Sequence, residues 1–329
     1  MSNPTSRRQA LARVWSMTSR LNSLACLEAA AAQESDLRCI HLEIETGAID
    51  MSTQVARGEA FRALHQREGL FVLPNPWDAG AAKMLAGLGF AALATTSAGL
   101  AFSLGRCDAQ GALSREEALA NARAIVEATP LPVAADLENG YGDEPEHCAE
   151  TIALAAQIGL VGGSIEDATG DAQSPIYPFE LAVERVRAAV AAARSLPFPF
   201  TLAARAENYL HGRADLDDTI RRLVAYAEAG ADVLYAPGLT SREEILAVVT
   251  AVAPRPVNVL VGSPSLRLSL DELAELGVKR VSLGSALARV AYGAFYQAAQ
   301  ELAVGGSLVA TGQGMSFERI NNLFKTRAG

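Results

Sequence analysis

Pro132-Val133-Ala134-Ala135-Asp136-Leu137-Glu138-Asn139-Gly140-Tyr141-Gly142-Asp143 is an apolar run closed by two carboxylates and a glycine cluster. The run is too short for a helix and is bounded by proline and glycine, so it reads as a buried strand. Alternation along a strand would put Asp136 and Glu138 on one face, at its C-terminal end. Two like charges at the edge of a core are costly unless a cation neutralises them, and an all-oxygen set favours a hard cation such as Mg2+. The same letters also describe a solvated strand end, with Asn139 and Gly140 in an ordinary turn. The other strands have to separate the two readings.

From Leu70 onward the chain repeats one pattern eight times: a short apolar run, a polar turn, then an amphipathic helical stretch. The predicted strands are Leu70 to Pro74, Ala91 to Thr95, Pro132 to Glu138, Val161 to Asp167, Phe200 to Glu207, Asp232 to Pro237, Val257 to Val261 and Arg280 to Gly284. Helices are predicted to begin near Ala79, Ser114, Glu144, Phe179, Leu216, Ser241, Ser269 and Ser285. Ser114 before Glu116 and Glu117, and Ser241 before Glu243 and Glu244, are N-cap signals. Strands alternating with helices imply parallel pairing, and eight such units close as a TIM (β/α)8 barrel. A doubly wound open sheet competes, but no Gly-x-Gly-x-x-Gly turn follows the first strand.

In a barrel the chemistry gathers at the C-terminal ends of the strands. Strand two ends at Thr95-Thr96-Ser97-Ala98-Gly99 and its loop runs to Asp108; strand three ends in Asp136 and Glu138, strand four in Glu166 and Asp167, strand five in Arg205 and Glu207. Separate strands thus deliver several carboxylates and one arginine to a single mouth, which favours a functional site over a solvated strand end.

Composition narrows the function classes. The chain has 329 residues, 50% of them hydrophobic, and a net charge of -9, with no basic stripe interleaved with aromatics. That excludes a nucleic-acid surface. Cys26, Cys39, Cys107 and Cys148 fall at no metal-finger or redox spacing, which suits a reducing, cytoplasmic setting. No apolar stretch is long enough to span a bilayer. Residues 1–50 lie outside the repeat. Up to Glu28 they carry Arg7, Arg8, Arg13 and Arg20, several serines and no earlier acid, a bias found in organelle transit peptides. A helical extension and a working start at Met51 explain it as well. Under any of these, residues 1–50 are expected to be a dispensable extension and 51–329 a single catalytic barrel.

With Asn75-Pro76-Trp77-Asp78-Ala79-Gly80, Thr96-Ser97-Ala98-Gly99, the Asp136–Gly142 motif, Ile165-Glu166-Asp167 and Ala204-Arg205 in register, the chain resembles the isocitrate lyase/phosphoenolpyruvate mutase superfamily from about Gly69 to Ala303. Within it the likeness points to the carboxyphosphonoenolpyruvate phosphonomutase-like or methylisocitrate lyase-like branch. The resemblance implies a Mg2+ site, with Mn2+ as a substitute, in which Asp136 is the direct ligand while Asp108, Glu138 and Glu166 hold the ion's waters. It also implies that Thr96, Ser97 and Ala98 receive the carboxylate of a pyruvyl or oxalyl unit and that Arg205 binds substrate oxygens. Arg205, Glu166 and Glu138 are the expected catalytic residues. A homo-oligomer, dimer or tetramer, that exchanges its last helices between subunits is implied too.

Other residues carry weaker expectations. His211 follows strand five and could approach the mouth, though a lone loop histidine is more often solvated; Tyr235 and Ser263 read as pocket lining or packing, Arg289 as a distal-carboxylate ligand or helix decoration, Asp78 as a helix cap, and Cys107 as an unactivated thiol.

The departures from the superfamily bear on the reaction. Isocitrate lyase-type members carry a gate cysteine after strand four, where this chain has Ala168-Thr169-Gly170-Asp171-Ala172-Gln173-Ser174-Pro175-Ile176-Tyr177. The asparagine and lysine of the phosphonomutases are missing there as well, and Pro237 stands where those enzymes place a histidine. The expected activity is Mg2+-dependent cleavage or formation of a C–C bond beside a 2-oxo or 2-hydroxy carboxylate through an enolpyruvate-like intermediate, such as decarboxylation or hydrolysis of an oxaloacetate-like substrate. C–P chemistry on a phosphonopyruvate-like substrate is the second reading. A barrel that binds metal and a 2-oxo acid without turnover is the third.

Overall fold

A computed structural model describes residues 51–108, 111–262 and 265–325. The expectation for residues 1–50 therefore lies outside the described residues, as does Ser263.

The chain enters through α1 (Met51–Gln66), which the sequence pattern did not predict. Then come β1 (Phe71–Leu73), α2 (Ala79–Gly87), β2 (Leu93–Ala94), α3 (Ser97–Ser103), α4 (Arg115–Glu127), β3 (Val133–Asp136), α5 (Pro145–Gln157), β4 (Gly162–Glu166) and α6 (Phe179–Ser195). The second half carries β5 (Thr201–Arg205), α7 (Leu216–Glu228), β6 (Val233–Tyr235), α8 (Arg242–Val252), β7 (Val257–Leu260), α9 (Leu270–Glu275), β8 (Arg280–Ser282), α10 (Ala286–Gly305) and α11 (Phe317–Phe324). All eight predicted strands are present, each shorter than its apolar run, because only the residues that meet a neighbour's backbone join the ladder.

The strands form one parallel sheet in the order β1-β8-β7-β6-β5-β4-β3-β2. The seam between β1 and β2 is drawn together just past the strands, where Ala94 N donates to Pro74 O at 3.1 Å. Asn75 pins the same seam: its Nδ2 donates to Thr95 O, and its Oδ1 accepts from Leu283 N and Gly284 N, each at 2.9 Å. One buried amide thereby ties together the ends of β1, β2 and β8. The fold is the expected TIM barrel.

The helices begin where their caps dictate. Ser114, Ser241 and Ser269 each close a capping box with the glutamate three residues on. Asp78 caps α2, accepting from Ala81 N at 2.7 Å, as expected. At the opposite end of the barrel α1 acts as a plug. Its Phe61 is fully buried, and a Cβ on Gly162 of β4 would lie 2.8 Å from the Phe61 ring. Glycine at 162 is therefore what lets the plug approach the sheet. Gln54 Nε2 donates to Ala156 O at 2.8 Å and Leu160 O at 3.1 Å and so anchors the plug to the end of α5 and the turn after it.

Candidate active site

At the C-terminal mouth, β3 ends in Asp136, whose N–H donates to Thr95 Oγ1 at 3.0 Å. Asp136 Oδ2 accepts from Ser97 N at 3.2 Å and from Ser97 Oγ at 2.8 Å, and Oδ1 accepts from Arg205 Nη1 at 2.9 Å. Arg205, at the end of β5, also meets Glu166 Oε2 at 3.0 Å and Glu207 Oε1 at 2.8 Å, and its guanidinium lies 5.1 Å from the centroid of the Tyr235 ring. One cation from β5 thus holds carboxylates from β3, β4 and its own strand end.

Glu138 lies beyond β3, so strand alternation is not what places it near Asp136. Its φ of 46° and that of Tyr141 at 61° are left-handed, flanking Gly140 at 80°. L-residues avoid this region, and strain of this kind is held in place by surrounding contacts. Here Arg185 of α6 supplies them. Its guanidinium donates to the carbonyls of Asn139, Gly142 and Asp143 and stacks 4.1 Å from the Tyr177 ring centroid. Tyr177 OH in turn donates to Asp143 Oδ1 at 2.7 Å.

The electrostatics of the mouth follow from this crowding. Burial, reinforced by the charges of Asp136 and Asp108, pushes the Glu138 carboxyl up to about 7 against the opposing pull of Arg205. Burial likewise lifts Glu166 well above the carboxylate range and Glu207 to about 6, with Arg205 opposing in both. Two adjoining cavities of about 270 and 330 Å³ share Ser97, Asp108, Arg205 and Leu210 in their walls. Asp136, Thr96 and Ala98 line the first; Glu138, Glu166, Thr169 and His211 line the second.

The donor set suits a divalent cation. Asp136, Glu166 and Glu207 pair with Arg205 while Asp108 and Glu138 line the same cleft, so five carboxylates share one guanidinium. All the side-chain donors are oxygens, which a hard ion prefers. Among the described residues no three acids converge closely enough to ligate one ion by themselves.

Residues 61–303 match the family model of phosphoenolpyruvate phosphomutase. The chain belongs to that family, within the isocitrate lyase/PEP mutase superfamily. A crystal structure from Burkholderia cenocepacia J2315, described only as a lyase/mutase, superposes with a TM-score of 0.81 at 60% identity, covering 83% of this chain and 97% of that one. Oxaloacetate acetylhydrolase in complex with its product oxalate superposes at 0.75 with 28% identity over 82% of this chain and 94% of its own. An uncharacterised protein of Mycobacterium tuberculosis (strain H37Rv) is 38% identical over 228 residues, 69% of this chain and 82% of its length.

The family member in hand brings Asp108, Asp136, Glu138, Glu166, Arg205, Ser97 and Ala98 to one mouth, as the strand-end argument expects. Thr96 lines the first cavity, and its Oγ1 also caps α3 by accepting from Gly99 N at 3.2 Å. The expectation for Asp167 needs correction. Asp167 points away from the mouth into the layer between sheet and helices, where it accepts from Arg222 Nη1 at 3.1 Å, Tyr226 OH at 2.7 Å and Glu207 N at 2.8 Å. His211, for which the sequence leaves a solvated loop and an approach to the mouth both open, lines the cleft beside Glu138 and Glu166, and burial lowers its pKa. Arg289 donates to Gly262 O, and Cys107 is exposed. Arg185 and Glu207 do more than the sequence reading assigned. An arginine on the buried face of an amphipathic helix, beside Ala182, Val186 and Ala189, was the legible sign of the first.

Proposed function

We propose that the protein is a Mg2+-dependent lyase that breaks a C–C bond at C3 of an oxaloacetate-like 2-oxo dicarboxylate, C3–C4 in decarboxylation or C2–C3 in hydrolysis. The observation that carries this reading is the segment after β4. Its ends meet in a bridge between Ala168 and Ile176, Thr169 Oγ1 donates to Ser174 O at 2.7 Å, and Tyr177 OH is tied to Asp143. Burial, with the Asp143 hydrogen bond, drives the Tyr177 phenol further up, away from acidity. No thiol or cationic acid stands there, and His211 is neutral near pH 7. A substrate whose departing carbon needs a proton from the protein is therefore poorly served. Decarboxylation breaks C3–C4, leaves the electron pair as an enolate and releases CO2, so water can later protonate C3. In hydrolysis water adds to C2, C2–C3 breaks, and the proton that water gives up goes to the departing carbon, so neither route needs an acid from the segment after β4.

Asp136 would hold the ion directly, with Asp108, Glu138 and Glu166 on its waters. When bound, Mg2+ supplies Lewis-acid polarisation of the 2-oxo group. Arg205 neutralises charge on the substrate's oxygens, and a rigid cation in a water-poor site is worth more than in bulk solvent. Ser97 and Ala98 orient the proximal carboxylate. The likeness to oxaloacetate acetylhydrolase supports the substrate class. A homodimer or tetramer with exchanged C-terminal helices, located in the cytoplasm, completes the proposal.

Side-by-side turnover of oxaloacetate, isocitrate and methylisocitrate under saturating Mg2+ tests the reading. Since general acid catalysis is worth about 100- to 10,000-fold, the two tricarboxylates should be slower by about that factor. Rapid succinate release from either would overturn it, as would tight oxaloacetate binding without turnover.

A further inference from the structure

Below Arg205 the barrel is lined by Ala94, Ala134, Ala135, Gly163, Ser164 and Ala203. Barrel interiors are ordinarily filled by bulky branched side chains. Small ones here leave the 270 Å³ cavity running inward from the mouth to Asn258, Ser282 and Arg280.

Arg280 points into the barrel from β8 and is 5% exposed. Its Nε donates to Asn258 Oδ1 at 2.8 Å, and Asn258 Nδ2 donates to Ser282 Oγ at 2.9 Å, which fixes the amide with its oxygen toward the guanidinium. Its Nη1 lies 3.4 Å from His65 Nε2. His65 Nδ1 is 2.9 Å from Phe61 O, a group that can only accept, so Nδ1 carries the proton and Nε2 receives from Arg280. Burial and the Arg280 charge hold His65 far down, at about 3, so it is neutral. Every hydrogen-bond partner of Arg280 among the described residues is thus uncharged, and no described carboxylate forms an ion pair with it. Burial lowers the Arg280 pKa to about 10, which leaves it cationic at neutral pH. Buried cations are expected to be paired, and a guanidinium has five donors to satisfy.

We propose that the inner end of this cavity is an anion subsite, in which Arg280 receives a small anionic group, either the second carboxylate of a bound dicarboxylate or a free inorganic anion. Asn258 and His65 hold the guanidinium in place while its remaining donors face the cavity. The dicarboxylate source rests on the function proposed above; the inorganic source does not.

The test uses crystals of the full chain grown without halide and soaked in bromide, with no divalent metal added. Anomalous density in contact with the Arg280 guanidinium is expected in the wild type and its loss in Arg280→Gln, which keeps an amide but no charge. A second soak adds malonate. Displacement of bromide by carboxylate density assigns the subsite to a dicarboxylate, and calorimetry should then show malonate bound about ten- to hundredfold more weakly by Arg280→Gln. Bromide that stays while malonate binds elsewhere assigns it to a free inorganic anion. Either result stands whether or not oxaloacetate is turned over. Water alone at Arg280 in the wild type, or bromide unchanged in the variant, overturns the proposal, and the wild-type soak decides even if the variant fails to fold.

Discussion

Glu138 carries two costs at once: a left-handed backbone and a carboxyl that burial and its neighbours push up to about 7. Between an unfolded value near 4.3 and this folded value, the native protein binds a proton that the unfolded chain does not. The contribution of Glu138 to stability is therefore fully present below about pH 4.3 and is lost as the pH rises to about 7. Glu207, at about 6, adds to the same trend. Thermal melts without divalent ions should show this fall, and Glu138→Gln should flatten part of it by a few degrees, given about 2–4 °C per kcal/mol in a chain of this size. A slope unchanged in the variant would show that Glu138 titrates normally. For the proposed metal, Asp108→Ala or Glu138→Ala should weaken Mg2+ binding by about 10- to 100-fold, the usual effect of residues that act through bound water. Asp136→Ala should lose it altogether in a calorimetric titration; equal, mild losses at all three positions would show that Asp136 is not the direct ligand. Residues at strand ends were legible because the barrel's topology alone sends them to the mouth. Arg280 was not, because a charge inside a strand of apolar letters gives no hint of what faces it across the barrel. Asp167 was misplaced because adjacent residues at a strand end face opposite ways, and only the packing of Arg222 and Tyr226 shows which way each points.

Elements follow the same division. The eight strands could be read because each apolar run is bracketed by turn residues, and three of the helix starts because serine and glutamate stand at capping-box spacing. The helix α3 was read as loop: Ser-Ala-Gly-Leu-Ala-Phe-Ser is short and has a glycine inside it. That glycine is required, since a Cβ on Gly99 would lie 2.6 Å from Thr96 Cγ2 and 2.9 Å from Trp77 Cβ. The plug α1 was missed because its buried face mixes Gln54 and Gly58 with Phe61 and Leu64, so no apolar stripe stands out. Its role gives a sharp expectation. A chain beginning at Met51 should melt within a few degrees of the full chain, whereas one beginning at Gly69 should lose the plug and give little soluble protein. Phe61→Ala, which empties a fully buried position, should cost about 3–5 kcal/mol in denaturant unfolding. A loss below about 1 kcal/mol would mean that α1 merely rests on the barrel.

At the scale of the whole molecule, the C-terminal helices are left with too much apolar surface for a chain in water. Ala288 is the only buried residue among the twenty of α10, while Phe295 is 69% exposed, Val304 84% and, on α11, Phe317 85%. Contiguous apolar patches of this kind mark surfaces that another chain covers. Within one chain α11 folds back on α2, where a Cβ on Gly80 would lie 3.6 Å from Phe324 Cζ. Exchange of the last helices would let a second copy's α11 take that same place and would cover the rest of α10 without any new contact surface on the barrel, which is the low-cost route by which swapped dimers arise. The protein should therefore sediment as a dimer or tetramer at micromolar concentration. The paired substitution Phe295→Asp and Phe317→Asp puts charges where the two copies would meet, so it should shift the population to monomer while the circular dichroism of the barrel is kept. A wild-type protein that sediments as a monomer would rule out the exchange, and an oligomer unmoved by the paired substitution would place the interface elsewhere.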